Sequence, residues 1–192
     1  MKDKDIKFLN KYYYNFNKLI NFDEVEIKKK LCFVKKHIID IKKKRKKILI
    51  FGNGGSASIA SHFSVDLIKN TKIRCINYNE ADLITCFSND FGYERWVEMT
   101  IKYFGDKGDI LIVISSSGKS KNMINACIAA KKKKFSKIIT LTGHSTNNPI
   151  KKYGDINFWV NSKVYNYIEN IHQFWLLSLV DLIVGKKSYL SN

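Results

Sequence analysis

Between residues 5 and 44, Phe8, Tyr12, Phe16, Leu19 and Ile20 form one apolar stripe at helical spacing. Leu31, Val34, Ile38 and Ile41 form another after the polar interruption Asn21-Phe-Asp-Glu24. The pattern predicts two helices, or one bent helix, ahead of a different grammar. Short runs at 47–51 and 109–114, apolar after their first residues Lys47 and Asp109, then take over, as expected of strands buried on both faces. Weaker strand signals lie at 72–76, 137–142 and 156–160. Helical spacing returns between them, at about 56–68, 93–104 and 122–133, with a single helical turn at 82–87. A long apolar helix at 164–184 closes the pattern and stops at Gly185.

Strands that alternate with helices at this spacing need crossover connections, so the chain is predicted to be α/β, with a parallel sheet between helical layers in a three-layer sandwich. Nothing resembles an internal linker: the only proline is Pro149, in a loop at 145–149. The 192 residues read as one domain, with 1–46 as a helical leader and 47–192 as the α/β core.

Composition narrows this little. Hydrophobic residues make up 45% and aromatics 13%, enough for a packed core. No run approaches the roughly 18 apolar residues of a membrane span, and the N-terminus lacks a signal-peptide pattern, so a cytoplasmic protein is expected. Cys32, Cys75, Cys86 and Cys127 are scattered singletons in apolar segments, expected as buried thiols rather than disulfides or metal ligands. The net charge of +17 favours anionic partners. Its lysine runs, at 42–47 and 131–134, fall where helices should end and complement their dipoles. With no groove-reading motif, nucleic-acid binding is not expected.

The candidate chemistry lies in two loops. Gly52-Asn-Gly-Gly-Ser56 joins a buried strand to a helix, where an open α/β sheet binds ligands. Glycines let backbone N–H groups approach an anion, and Ser56 stands near the helix's positive end. An ordinary turn would need one glycine. Ser115-Ser-Ser-Gly-Lys-Ser120 follows the other buried strand, and its four hydroxyls suit several donors converging on one phosphate. Neither loop fits a dinucleotide or nucleoside-triphosphate fingerprint, so no nucleotide cofactor is expected.

With Gly52-Asn-Gly-Gly-Ser56, His62-Phe63, Asn89-Asp-Phe-Gly92 and Ser115-Ser-Ser-Gly-Lys-Ser120 in this order, the sequence resembles the sugar isomerase (SIS) domain family. Within it, the likeness is to the phosphoheptose isomerases, which convert sedoheptulose 7-phosphate to a heptose 7-phosphate, a precursor of surface polysaccharide. The resemblance implies a five-stranded parallel sheet of the flavodoxin-like, Rossmann-like kind. It also implies a homotetramer with active sites at subunit interfaces and the leading and closing helices at its centre. By matching position, Asn53, Gly54, Ser56, Ser115, Ser116, Ser117 and Ser120 would hold phosphate or sugar hydroxyls, and Asp90 would lie beside the sugar.

The family's zinc and acid/base positions are altered. His62 matches, but Asp66 stands where the catalytic Glu is expected, Glu169 where Gln is expected, Leu177 where a second His is expected, and Asn70 where an Arg is expected. The resemblance then implies Asp66 as base, with His62 and Glu169 as proton-transfer groups. It leaves His62, Asp66 and Glu169 as the donors for a zinc ion. Asp66 is one methylene shorter than Glu, a displacement of about 1 Å that can cost roughly 100-fold in rate. His172 is a candidate substitute for the missing histidine, whereas His37 and His144 carry no expected role. Tyr165 and Tyr167, ahead of the closing helix, are expected to pack.

The expected function is aldose–ketose isomerisation of a phosphorylated sugar. The competing expectation is a non-catalytic SIS-domain binding protein, resembling the protein that associates with the replication initiator, which also lacks the acid and the second histidine.

Overall fold

Alternation along the strands decides the layers. In β1 (Ile48–Gly52), Ile48 and Ile50 join one apolar cluster, while Leu49 and Phe51 join another on the opposite face. In β3 (Ile110–Ser115), Ile110, Ile112 and Ile114 follow the first pair, and Leu111 and Val113 the second. Successive side chains of a strand point to opposite faces, so a run apolar at every position must be covered twice.

The computed structural model describes residues 3–185. The leading helices are α1 (Asp3–Ile20) and α2 (Glu24–Lys43), broken at Asp23, which adopts a left-handed conformation with φ 56°. After β1 come α3 (Gly55–Thr71), β2 (Cys75–Ile76), α4 (Ala81–Phe91) and α5 (Trp96–Phe104). After β3 come α6 (Lys121–Lys132), β4 (Lys137–Thr142), a 3-10 turn (Pro149–Tyr153), β5 (Ile156–Trp159) and α7 (Tyr165–Val184). The sheet is five-stranded, in the order β2-β1-β3-β4-β5, and every pairing is parallel.

Helix α3 shows how pattern becomes packing. Ser56, Ile59, Ala60, Phe63, Ser64 and Leu67 are its buried face, spaced by three or four residues. Phe63 and Leu67 are fully buried, and removing a ring such as that of Phe63 would cost about 3–5 kcal/mol. Helices α2, α3 and α7 cover the Ile48 face, and α5 and α6 cover the Leu49 face. The four cysteines divide unexpectedly: Cys75 and Cys127 are buried, with burial pushing each thiol up to about 12, but Cys32 and Cys86 are exposed.

Two elements differ from the sequence expectation. The strand expected at 72–76 is only Cys75–Ile76, because α3 runs on to Thr71 and Lys72 ends it in a left-handed conformation with φ 58°. The single turn expected at 82–87 is the 11-residue α4, held by Leu83, Ile84 and Phe87 packing at helical spacing against the second cluster. Among the described residues, no helix is long and apolar enough to cross a membrane.

Candidate active site

Strands β1 and β3 are neighbours, yet the chain leaves them toward opposite faces: α3 packs on one side of the sheet and α6 on the other. Such a switch point opens a crevice beyond the carboxyl ends of the two strands, bordered by the loops that follow them. Gly54 precedes α3 with φ 55° and ψ −124°, a conformation that side chains strongly disfavour. Gly118, at the tip of the second loop, has φ 64°, and a Cβ there would collide with the Asn148 side chain.

The two loops enclose one cavity of about 120 Å³, several times the volume of a water molecule. Asn53 and Ser56 line it from the first loop, and Ser115, Ser116, Ser117 and Ser120 from the second. Tyr165 and Glu169 of α7 close it. Ser115 Oγ donates to Ser120 Oγ at 3.0 Å, and Ser117 Oγ accepts from the Lys119 backbone N–H at 3.2 Å. Ser116 Oγ is buried without a partner. Helices α3 and α6 both begin here, and their first-turn N–H groups give this end of the fold positive potential. Hydroxyls and two helix N-termini at one small cavity suit an anion.

A direct tie joins the loops. Asn53 Nδ2 donates to Asn122 Oδ1 at 3.1 Å, and Asn122 Nδ2 donates back to Asn53 Oδ1 at 2.8 Å. Tyr93 Oη also donates to Asn53 Oδ1, at 3.1 Å. Gly54 borders a neighbouring cavity of about 340 Å³, which Tyr93 and Trp96 also line.

On the other side of Glu169 lies a cavity of about 320 Å³, lined by Gly55, Ser58 and His62 of α3 and by Glu169 and Gln173 of α7. His62 Nε2 is 3.4 Å from Asp66 Oδ2, one helical turn on, and His62 Nδ1 is 3.2 Å from Gln173 Nε2. Asp66 was expected to face the sugar as base. It stands behind His62 instead: its side chain is 15% exposed against 47% for His62, and it lines neither cavity. The Glu169 carboxylate lies so close to Gly55 that a Cβ there would collide with it, which sets the carboxylate beside the first turn of α3.

The implied zinc set does not assemble. Among the described residues, no three His, Cys, Asp or Glu side chains are grouped so that they could hold a metal ion. Both nitrogens of His62 have partners, Glu169 rests on Gly55, and Leu177 has no donor atom.

Other expected residues stand apart. Asp90 ends α4 in an exposed position, bonded to Asn89 Nδ2 at 3.1 Å, and lines none of these cavities. Asn70 Nδ2 donates back to the Asp66 carbonyl at 2.9 Å. His172 cannot replace the missing histidine: it is fully buried, and its Nε2 donates to the Thr142 carbonyl at 3.1 Å. Burial lowers its pKa to about 4, so it is neutral near pH 7. Tyr167 packs as expected, against Tyr12, whereas Tyr165 walls the anion cavity. Sequence reasoning missed Tyr93, Asn122 and Gln173. Gln173 had a signal, four residues after Glu169 and so on the same helix face.

A family model described as the SIS domain matches residues 11–143. A phosphoheptose isomerase of Buchnera aphidicola subsp. Acyrthosiphon pisum (strain Tuc7) is 36% identical over 151 residues, 76% of this chain and 77% of that one. Another, from Glaesserella parasuis serovar 5 (strain SH0165), is 40% identical over 141 residues, 70% of this chain and 72% of that one. In fold, a solved phosphoheptose isomerase from Francisella tularensis superposes with a TM-score of 0.85 at 24% identity, covering 97% of this chain and 100% of that one.

Proposed function

This chain belongs to the SIS domain family, and from that premise we propose that it is an aldose–ketose isomerase of phosphorylated sugars, converting sedoheptulose 7-phosphate to a heptose 7-phosphate for surface polysaccharide. The observation that carries the reading is the single cavity built by both loops, in which serine hydroxyls and two helix N-termini face one small space. A phosphate held there puts the far end of the sugar within reach of the adjoining cavity, where His62 and Glu169 stand. Asn53, Ser56, Ser115, Ser116, Ser117 and Ser120 are the phosphate and hydroxyl ligands in this reading, with Gly54 shaping the turn. Isomerisation moves a proton between adjacent carbons through an enediol and needs a proton-transfer group beside those carbons. The relatives named phosphoheptose isomerase favour this reading over a non-catalytic binding protein.

The working form is a homotetramer in the cytoplasm. Helix α1 supports assembly: none of its side chains is buried, and Phe8, Tyr13 and Tyr14 are each more than 60% exposed. Large exposed side chains spread around a helix in this way suit contact with other chains.

The test is to incubate the purified full chain with sedoheptulose 7-phosphate in deuterated water and follow the carbon-bound protons by NMR. Formation of the aldose, or exchange at the carbon beside the carbonyl, is expected. Neither occurring would overturn the reading.

A further inference from the structure

We propose that this chain moves the proton without a bound divalent metal ion, using His62 as the proton-transfer group and Asp66 to position its ring, with Gln173 holding Nδ1 until substrate arrives; the inference rests on the isomerase reading above. The ring's partners carry it. Gln173 Nε2, 3.2 Å from Nδ1, is an amide nitrogen and can only donate. With the Gln173 amide in this orientation Nδ1 accepts, and the ring proton sits on Nε2, 3.4 Å from the Asp66 carboxylate. A metal ligand offers a free lone pair. Here one nitrogen is protonated toward a carboxylate and the other already receives an amide donor.

Among the described residues, the remaining donors do not gather around His62 as a metal-holding group. Asp66 faces Nε2–H, Glu169 is packed on Gly55 at the start of α3, and Leu177 offers nothing to a cation in any assembly of these chains. The same arrangement suits proton transfer: a carboxylate beside the ring stabilises the imidazolium that forms, and the His62 side chain lines the cavity.

In the ketose-to-aldose direction, substrate displaces the Gln173 amide and Nδ1 takes a proton from C1, leaving an enediolate and an imidazolium. The hydroxyl proton of O1 passes to O2, and the imidazolium returns its proton to C2. The product is the aldose, and no proton is gained or lost.

The experiment uses the intact protein. It is equilibrated with micromolar zinc, dialysed and analysed for bound metal, and turnover of sedoheptulose 7-phosphate is measured with and without chelator. Bound zinc well below one per chain is expected, with turnover changed less than about 2-fold by chelator. One zinc per chain that is lost in His62→Ala would overturn the proposal whatever the turnover. Turnover abolished by chelator and restored by zinc would overturn it while leaving the isomerase reading intact. Absence of turnover under both conditions would overturn the isomerase reading and the role of His62 together. Asp66→Asn should lower kcat about 10-fold or more, with KM within about 2-fold, whereas Gln173→Leu, which frees Nδ1, should keep kcat within about 2-fold. An Asp66→Asn effect confined to KM or to thermal stability would remove Asp66 as a positioning residue, and a 10-fold fall in kcat in Gln173→Leu would overturn the displacement.

Discussion

Asn53 and Asn122 hold each other through two amide hydrogen bonds, 3.1 and 2.8 Å long, across the gap between the loop after β1 and the first turn of α6. Asn122 is 2% exposed, so the pair is protected from competition by water. Asn122→Leu removes both bonds and leaves the Asn53 amide to Tyr93 alone. The expected cost is about 2 kcal/mol in urea unfolding. KM for the phosphosugar should rise about 10-fold, because the serines no longer face Asn53 at a fixed distance. An unchanged KM would show that the loops hold their spacing without this tie.

Ser116 invites the opposite experiment. Its hydroxyl is buried without a partner, so Ser116→Ala should leave the melting temperature unchanged or raise it. A bond to a charged phosphate is worth more, and the same change should weaken binding of inorganic phosphate about 10-fold. Thermal shift against a phosphate titration reads both quantities on one sample.

His172 gives the fold an acid limit. Its pKa is lowered by burial from 6.5 to about 4, so between these values the unfolded chain binds a proton that the folded chain refuses. The stability linked to this ring is complete above about pH 6.5, falls as pH drops through that window, and levels off below about 4. The loss is about 3 kcal/mol. Urea midpoints at several pH values should show a shallower acid slope in His172→Gln than in the parent; equal slopes would refute the assignment.

At the far end of the sheet, Lys47 Nζ lies 2.6 Å from Asp106 Oδ2 and 2.8 Å from Asp109 Oδ2, and Asp109 is fully buried. Lys47→Met would leave that carboxylate the backbone N–H groups of residues 47 and 106 but no counter-charge, and is expected to destabilise by about 3 kcal/mol. Activity per folded molecule should be unchanged, since this cluster sits at the opposite ends of the strands from the loops. A fall in kcat would reveal coupling across the sheet.

That the two loops share one cavity was legible in the sequence because its determinants are local. A glycine-rich and a serine-rich turn, each after a strand apolar at every position, fix backbone shape and hydroxyl supply within a few residues, and strand adjacency brings them together. The reacting half depends on how two helices rotate against each other. Only the packing of α3 on α7 shows that Gln173 meets His62, that Asp66 stands behind it, and that His172 turns inward to the Thr142 carbonyl. The extent of α4 was hidden for a related reason: Leu83, Ile84 and Phe87 are too few to define a period until the second apolar cluster is in place.

Glu169 is the one residue that borders both the serine-lined cavity and the His62 cavity among the described residues. In the proposed function, gripping the charged tail of a substrate and rearranging its other end therefore fall to separate walls with a single shared partition. Substitutions on the α7 side can retune which carbon skeleton is accepted while the handle stays as it is, and a change at position 169 is the one that would be felt in both rooms.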